Sequence, residues 1–504
     1  MKKLLSIVLL AAVLMTACAG LAERGMSENY RYEVLEDGSV EILTYRGRET
    51  EVVIPGKLDG RTVSRIGDEA FSMSRGLTRV TIPDSVTVIG ANPFSMCKSL
   101  ERIDVSSGNP LFSVQEGCLF SKEDGRVICG IPGALKEPFV LPAGTRIIGE
   151  SAFKSCDALT SLVLPDGLTF IGNEAFEFCG GLTHVTVPDG MTGIGSNAFT
   201  GCYSLTGITL PDSVTDIGAS AFANCRSLTD AALPGNLASL GESAFYNCEA
   251  LTGITLPDGL TSLGDGVFDS CTALAAVSLP VGLNAVGAKM FSGCKALAEI
   301  RIPTSVTEIG NSAFSSCDAL TAVVIPDGVT RIGDNAFSGC SHLASAVIPD
   351  SVTDIGEWAF ADCYDLADFS LPAALTHLGE HAFAWCSVKQ VTIPDGVTVI
   401  ERETFGSCYE MESVTFPETL TEIGDYAFEG CSGLHEVVLP GSLTTIGQSA
   451  FAKCSWMESI TIPESVTSIG KNAFNRCKSL TAVVTPGSFA EEYCQKNRVK
   501  YTSK

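Results

Sequence analysis

Cysteine recurs in this chain at a fixed step. Eleven cysteines from Cys156 to Cys386 stand 23 residues apart, one step of 22 leads to Cys408, and the interval of 23 resumes at Cys431, Cys454 and Cys477. Around each lies a variant of one template, L-T-x-V-x-I-P-D-x-V-T-x-I-G-x-x-A-F-x-x-C. A unit this short cannot bury its own apolar face, so it gains a core only by stacking on its neighbours. The period therefore outweighs the 504-residue length, which alone suggests about three domains.

The unit reads as one coil of a solenoid. In Leu159-Thr160-Ser161-Leu162-Val163-Leu164, apolar residues at positions 1, 4 and 6 match the strand half of a leucine-rich repeat. Pro165-Asp166-Gly167 turns the chain, with proline presetting φ and Asp and Gly suiting the later positions. Leu168 and Ile171 return to the core, Gly172 permits a bend, and Asn173 to Phe176 begin a short helical turn burying Phe176 and Cys179. The Phe-x-x-Cys anchor occurs seventeen times between Phe71 and Phe474, with Ser74 once replacing cysteine. The expected fold is a mainly β repeat solenoid of about 17 coils, an α/β-type leucine-rich repeat with short strands and helical turns.

Departures from the beat set the expected boundaries. Residues 1–22 read as a leader, 23–60 as an N-terminal cap with a hairpin at Glu36-Asp37-Gly38, 61–485 as the solenoid and 486–504 as a C-terminal cap with a helix over Ser488–Asn497. The step of 59 from Cys97 to Cys156 makes 98–155 an expanded coil, whose Asn109-Pro110, Glu116-Gly117 and Asp124-Gly125 turns imply extra strands. After Cys386 one residue is lost, and Glu401 stands where glycine follows isoleucine elsewhere.

The leader has the Met1-Lys2-Lys3 start and apolar Leu4–Leu14 stretch of an export signal. Leu14-Met15-Thr16-Ala17-Cys18 resembles a bacterial lipobox, with Met15 where Leu is usual. That reading cuts before Cys18 and makes it the lipidated first residue. Ordinary cleavage near Ala22 is the alternative, since Gly20-Leu21-Ala22 also has small residues at suitable offsets. No internal run is long enough to span a membrane, so membrane attachment is expected only through the lipid. A net charge of −25 argues against nucleic acid, whose phosphates require clustered Lys and Arg.

The repeat "LTSLVLPDGLTFIGNEAFEFC" resembles the BspA-like class of leucine-rich repeats. So do the opening "YEVLEDGSVEI", the insertion "NPLFSVQEGCLFSKEDGRVICGIPG" and the closing "GSFAEEYCQKN". The resemblance covers roughly Tyr30 to Tyr501. It implies an exported or surface-attached microbial protein, with relatives associated with adhesion to host proteins or other cells.

Twenty cysteines in an exported chain invite a disulfide reading. In-register cysteines of adjacent coils, however, leave Cβ atoms about 5 Å apart, wider than a disulfide's ~3.5–4.5 Å. A reduced, buried ladder is expected, with Cys118 and Cys129 of the expanded coil the better disulfide candidates. The sequence holds no C-x-x-C, and its five histidines are scattered. His377 and His381 are four apart, but a bend lies between them, so both are read as surface residues and no metal or other cofactor is expected. Neither G-x-S-x-G nor G-x-x-x-x-G-K is present. Asp166, Asp189, Asp212 and Asp258 form a stacked row at the Pro-Asp turn that could attract cations, yet turn preference explains Asp there without any ligand.

Two threonine rows remain, one from Thr160 through Thr183, Thr206, Thr229 and Thr252 to Thr321, the other Thr186, Thr209, Thr255, Thr392, Thr415 and Thr461. Trp358, Tyr364, His381 and Trp385 cluster near the irregular coil as a candidate interaction patch, although packing at an imperfect coil accounts for them equally. The leading expectation is a non-enzymatic protein-binding module at a cell surface or outer membrane, or secreted, whose partner is host matrix or another cell's surface. A structural envelope component is the alternative. An exported enzyme with a site in the expanded coil comes third.

Overall fold

A computed structural model describes residues 23–135 and 139–503. Contacts gather the chain into two units, Met1–Cys202 and Tyr203–Lys504. Within each unit the repeating element is a coil with three sides, and the coil around Phe176 in the first unit shows its plan. Strand Ser161–Val163 forms the first side and strand Phe170–Ile171 the second. Both pair in parallel with the next coil, Leu162 opposite Val185 and Ile171 opposite Ile194. Leu162, Leu168, Ile171, Phe176 and Cys179 all point inward and are buried.

The third side is not helical. Glu174 and Phe178 take left-handed φ values of 56° and 57°, and a left-handed residue at every fourth position interrupts any right-handed helix. The N–H groups of Glu177 and Cys179 close three-residue turns onto the carbonyls of Glu174 and Phe176, at 3.1 Å each. Those of Glu174, Phe176 and Phe178 point along the stack and donate to Ser196, Ala198 and Thr200 at 2.9, 2.8 and 2.7 Å. This rung is a third ladder beside the two sheets. The expected helical turns are thus replaced by rungs because the peptide N–H groups are needed between coils. Among the described residues, the α-helix is confined to Phe489–Asn497, with one 3₁₀ turn at Pro132–Ala134.

Glycine after isoleucine serves space rather than bending. A Cβ on Gly172 would lie 2.8 Å from the Glu150 amide nitrogen, and on Gly310 2.7 Å from that of Ala288. The neighbouring backbone therefore excludes any side chain there. Behind the rung the phenylalanines stack face to face. Centroids are 5.2 Å apart from Phe153 to Phe176 and from Phe176 to Phe199 in the first unit. In the second unit spacings include 5.0 Å for Phe337–Phe360 and 6.1 Å for Phe451–Phe474. Burying each ring contributes roughly 2–3 kcal/mol.

In the regular coils the cysteine lies beside this stack and donates its S–H to the phenylalanine carbonyl of the preceding coil. Cys179 reaches Phe153 at 3.1 Å and Cys317 reaches Phe291 at 3.2 Å. All nineteen described cysteines are free thiols. Cys118 and Cys129 do not form the disulfide considered for them. The strand register sets Cys129 opposite Leu119, and consecutive residues on a strand face opposite sides.

The first unit opens with an antiparallel meander, Arg24–Ser27, Tyr30–Val34 and Val40–Tyr45, whose last strand runs parallel to Arg61–Ile66. Its expanded coil inserts the meander Phe112–Gln115, Cys118–Ser121 and Arg126–Gly130. Glu116 and Gly117, at φ 45° and 74°, make the tight two-residue turn between the first two of these strands. In the second unit the closing helix is capped by the Ser488 hydroxyl, which accepts from the Glu491 amide at 3.3 Å. Tyr493 sets its ring edge-on to Phe474, 6.0 Å away, and covers the last rung.

Candidate interaction surfaces

The two threonine rows have different fates. Thr183 donates its hydroxyl to the Thr160 carbonyl at 2.9 Å, and Thr229 to that of Thr206 at 3.0 Å. This row ties coil to coil. In the other row Thr186, Thr209, Thr255, Thr392 and Thr415 are exposed and Thr461 is half-buried. In the second unit that row continues through Val324, Val347 and Val438, exposed by 63, 57 and 60%. Open grooves flank it, one bounded by Val324 and Val347 and another by Thr392 and Asp395.

The aspartate row is also internal. Asp212 accepts from the Gly235 amide at 3.4 Å, Asp258 from Val281 at 3.3 Å and Asp350 from Ala373 at 3.2 Å. Each carboxylate thus supports the turn one coil further on. Among the described residues, no group of three or more His, Cys, Asp or Glu is placed to hold a metal ion.

Of the four patch residues, three come together. Trp358 and His381 occupy the same left-handed rung position on successive coils, and their rings stack 3.8 Å apart at 11°. Trp385 lies nearly parallel, 5.9 Å from Trp358 and 6.5 Å from His381. Tyr364 stands apart, its hydroxyl donating to Asp362 at 2.9 Å. His381 is not the surface residue expected, because the stack leaves it only 9% exposed. Its Nδ1 lies 3.2 Å from a Glu403 carboxylate oxygen, off the hydrogen-bond direction. Burial lowers the His381 pKa, and Glu403 partly counters this. His377 lies on a different side of the coil, in strand His377–Leu378 beside Asp354, so the two histidines share no site.

Glu403 escaped the sequence reading. The residue lost after Cys386 moves its rung position from 23 to 22 residues beyond His381, so the strict period points to Thr404 instead. The same coil carries Glu401 at the glycine position, where a Cβ collides with backbone in regular coils. Strand Val399–Ile400 accordingly pairs with Glu422–Ile423 but not with His377–Leu378. Buried Thr404 replaces the usual alanine; its hydroxyl donates to the Glu401 carbonyl at 2.9 Å and lies 3.4 Å from that of Gly379. The Phe383–Phe405 spacing is 5.8 Å, against 5.1 Å one coil earlier. A side chain at the glycine position opens the second sheet, and a hydroxyl bridges the gap.

Parallel two-strand coils with a buried phenylalanine stack define a leucine-rich repeat solenoid. The chain belongs to the family described as BspA type leucine rich repeat region, whose model matches residues 50–124, 146–275, 264–388 and 376–498. Similar solved structures include a leucine-rich repeat protein from Bacteroides ovatus, 24% identical, covering 95% of this chain and 99% of that one with a TM-score of 0.47. A leucine rich cell surface protein from Faecalibacterium prausnitzii is 27% identical, with 97 and 100% coverage and a TM-score of 0.31. A leucine-rich repeat protein from Eubacterium ventriosum is 20% identical, with 59 and 95% coverage and a TM-score of 0.40. No curated protein matches the chain. No helix among the described residues is long and apolar enough to cross a membrane.

Proposed function

We propose that the protein is exported and displayed at a cell surface, where it binds a protein partner, host matrix or another cell's surface, without catalysing a reaction. The observation that supports this is the first-strand face of the second unit. A solvated sheet face is ordinarily polar outward, yet Val324, Val347 and Val438 stand open to solvent in the threonine row. A row made mostly of small or β-branched uncharged residues, with Arg301 in the wall of one groove, suits an extended partner surface. The Trp358–His381–Trp385 stack offers a second, aromatic contact.

Binding to immobilised host matrix and plasma proteins, measured at several salt concentrations, tests the reading. The double variant Val324→Lys/Val347→Lys should weaken capture at least about tenfold while leaving the circular dichroism spectrum unchanged. Binding to none of them, or equal binding by the variant, refutes it. Anchoring is proposed through Cys18, which lies outside the described residues. Labelled fatty acid should enter the native protein and not Cys18→Ser; its absence from both refutes the anchor.

A further inference from the structure

Between the rungs at Phe94 and Phe153 the ladder fails, and the sequence shows why. Counting back 23 residues from Phe153, Ser155 and Cys156 gives Gly130, Pro132 and Gly133. Gly130 keeps its forward bond, its N–H donating to the Ala152 carbonyl at 2.9 Å. Pro132 stands where Ser155 and its counterparts hold a left-handed φ. Proline cannot adopt that φ and has no N–H to donate, so the segment closes as the 3₁₀ turn Pro132–Ala134. Glycines fill the places of the large Phe and the Cys.

Two consequences coincide. The regular rung bonds, such as Met73 to Ser95 at 3.0 Å and Ser155 to Glu177 at 2.7 Å, have no counterpart across this gap. Among the described residues the Met96 N–H finds no acceptor and the Lys154 carbonyl no donor. A cavity of about 230 Å³ also opens here, with Phe94, Met96, Pro132 and Leu135 among its walls.

We propose that this cavity binds one uncharged aromatic group bearing an O–H or N–H, such as a phenol or an indole. Size fits, since an apolar cavity of about 150 Å³ already holds benzene. Charge fits as well. Lys98 pairs with Asp157 across the rim at 3.0 Å. Burial opposes the charge on Lys154, but Glu174 at 2.5 Å and Glu177 at 2.7 Å outweigh it and hold its pKa above the ordinary value. Both cations are thus matched, and the cavity offers an anion no free charge. The Lys154 carbonyl accepts the ligand's O–H or N–H, and the Met96 N–H donates to a phenolic oxygen.

The site does not depend on the protein-binding reading, and its test uses no protein partner. Calorimetric titration of the intact protein with 4-methylphenol and with indole, with toluene as apolar control, should show one saturable site for the first two and at least about tenfold weaker binding of toluene. N-acetyl-tyrosinamide and N-acetyl-tryptophanamide separate the two sources of this chemistry: binding of either admits a side chain from another protein, and exclusion of both limits the site to free small molecules. Ala158 is exposed at the cavity mouth. Ala158→Trp should abolish binding, whereas Ala250→Trp at the same place in a regular coil should not. Saturable binding of neither 4-methylphenol nor indole at millimolar concentration, equal affinity for toluene, or titrations unchanged by Ala158→Trp overturn the proposal.

Discussion

Raising the pH from 9 to 10 should destabilise this protein through its cysteine ladder. Burial pushes the thiols of Cys156, Cys202 and Cys408 from an ordinary 9.0 up to about 12. The unfolded chain releases these protons above pH 9, while the native state holds them to about pH 12. The native state therefore binds more protons across that window, and stability falls as pH rises. The contribution is fully present below pH 9 and lost progressively towards pH 12. Each fully shifted thiol contributes about 1.4 kcal/mol per pH unit, so these three remove about 4 kcal/mol by pH 10, a large part of a typical domain's stability. Urea unfolding under reducing conditions at pH 7, 9 and 10 measures the slope. The triple variant Cys156→Ala/Cys202→Ala/Cys408→Ala should be less stable at pH 7 but lose stability less steeply above pH 9. Identical alkaline slopes in the variant and the native protein refute the argument.

Other substitutions probe the coil plan. Gly310→Ala places a Cβ 2.7 Å from backbone and should cost about 1–3 kcal/mol by urea unfolding, whereas Gly76→Ala, whose Cβ meets nothing within 4 Å and whose φ is not left-handed, should leave stability nearly unchanged. Glu401→Gly should let strand Val399–Ile400 pair with the coil before it, raising stability and slowing amide exchange at Ile400; unchanged exchange contradicts the steric account. His381 should stay neutral below its ordinary pKa of 6.5 because burial lowers it. Acid quenching of the stacked Trp358 should then have its midpoint below 6.5 and vanish in His381→Ala, and stability should fall as pH drops through that midpoint.

The two sheets and the buried Phe and Cys were legible because each depends on a residue type the template repeats. Leu162 and Ile171 face inward in strands as alternation requires, and Ser488 caps the helix foreseen at the end. The rungs were not legible. An A-F-x-x-C stretch is a fair start to a helix when only its own residues are considered. What excludes the helix is that the Phe176 and Phe178 N–H groups are needed by a coil 22 residues further on. Gly172 was misjudged for the same reason, since its constraint comes from Glu150 in another coil. At the patch, proximity to the irregular coil grouped Trp358, Tyr364, His381 and Trp385, of which Tyr364 stands apart, while the burial of His381 and the role of Glu403 depended on neighbours in other coils and on a shift made by one missing residue.

The rung ladder gives the fold a direction. In a parallel sheet each strand both donates to and accepts from its neighbour, so peptide dipoles largely cancel along the stack. The rung bonds run one way only, N–H of each coil to the carbonyl of the next, as from Phe222 to Ala244 and from Phe451 to Ala473. Their dipoles add, as they do along an α-helix. Within a unit the two faces of each rung are therefore electrically unlike, carbonyls turned to the coil before and N–H groups to the coil after; the N-terminal meander of the first unit meets its first rung in this sense, the Tyr45 N–H donating to the Ala70 carbonyl at 2.7 Å. An added coil continues the ladder with the same polarity, and a stack read backwards would meet donor with donor.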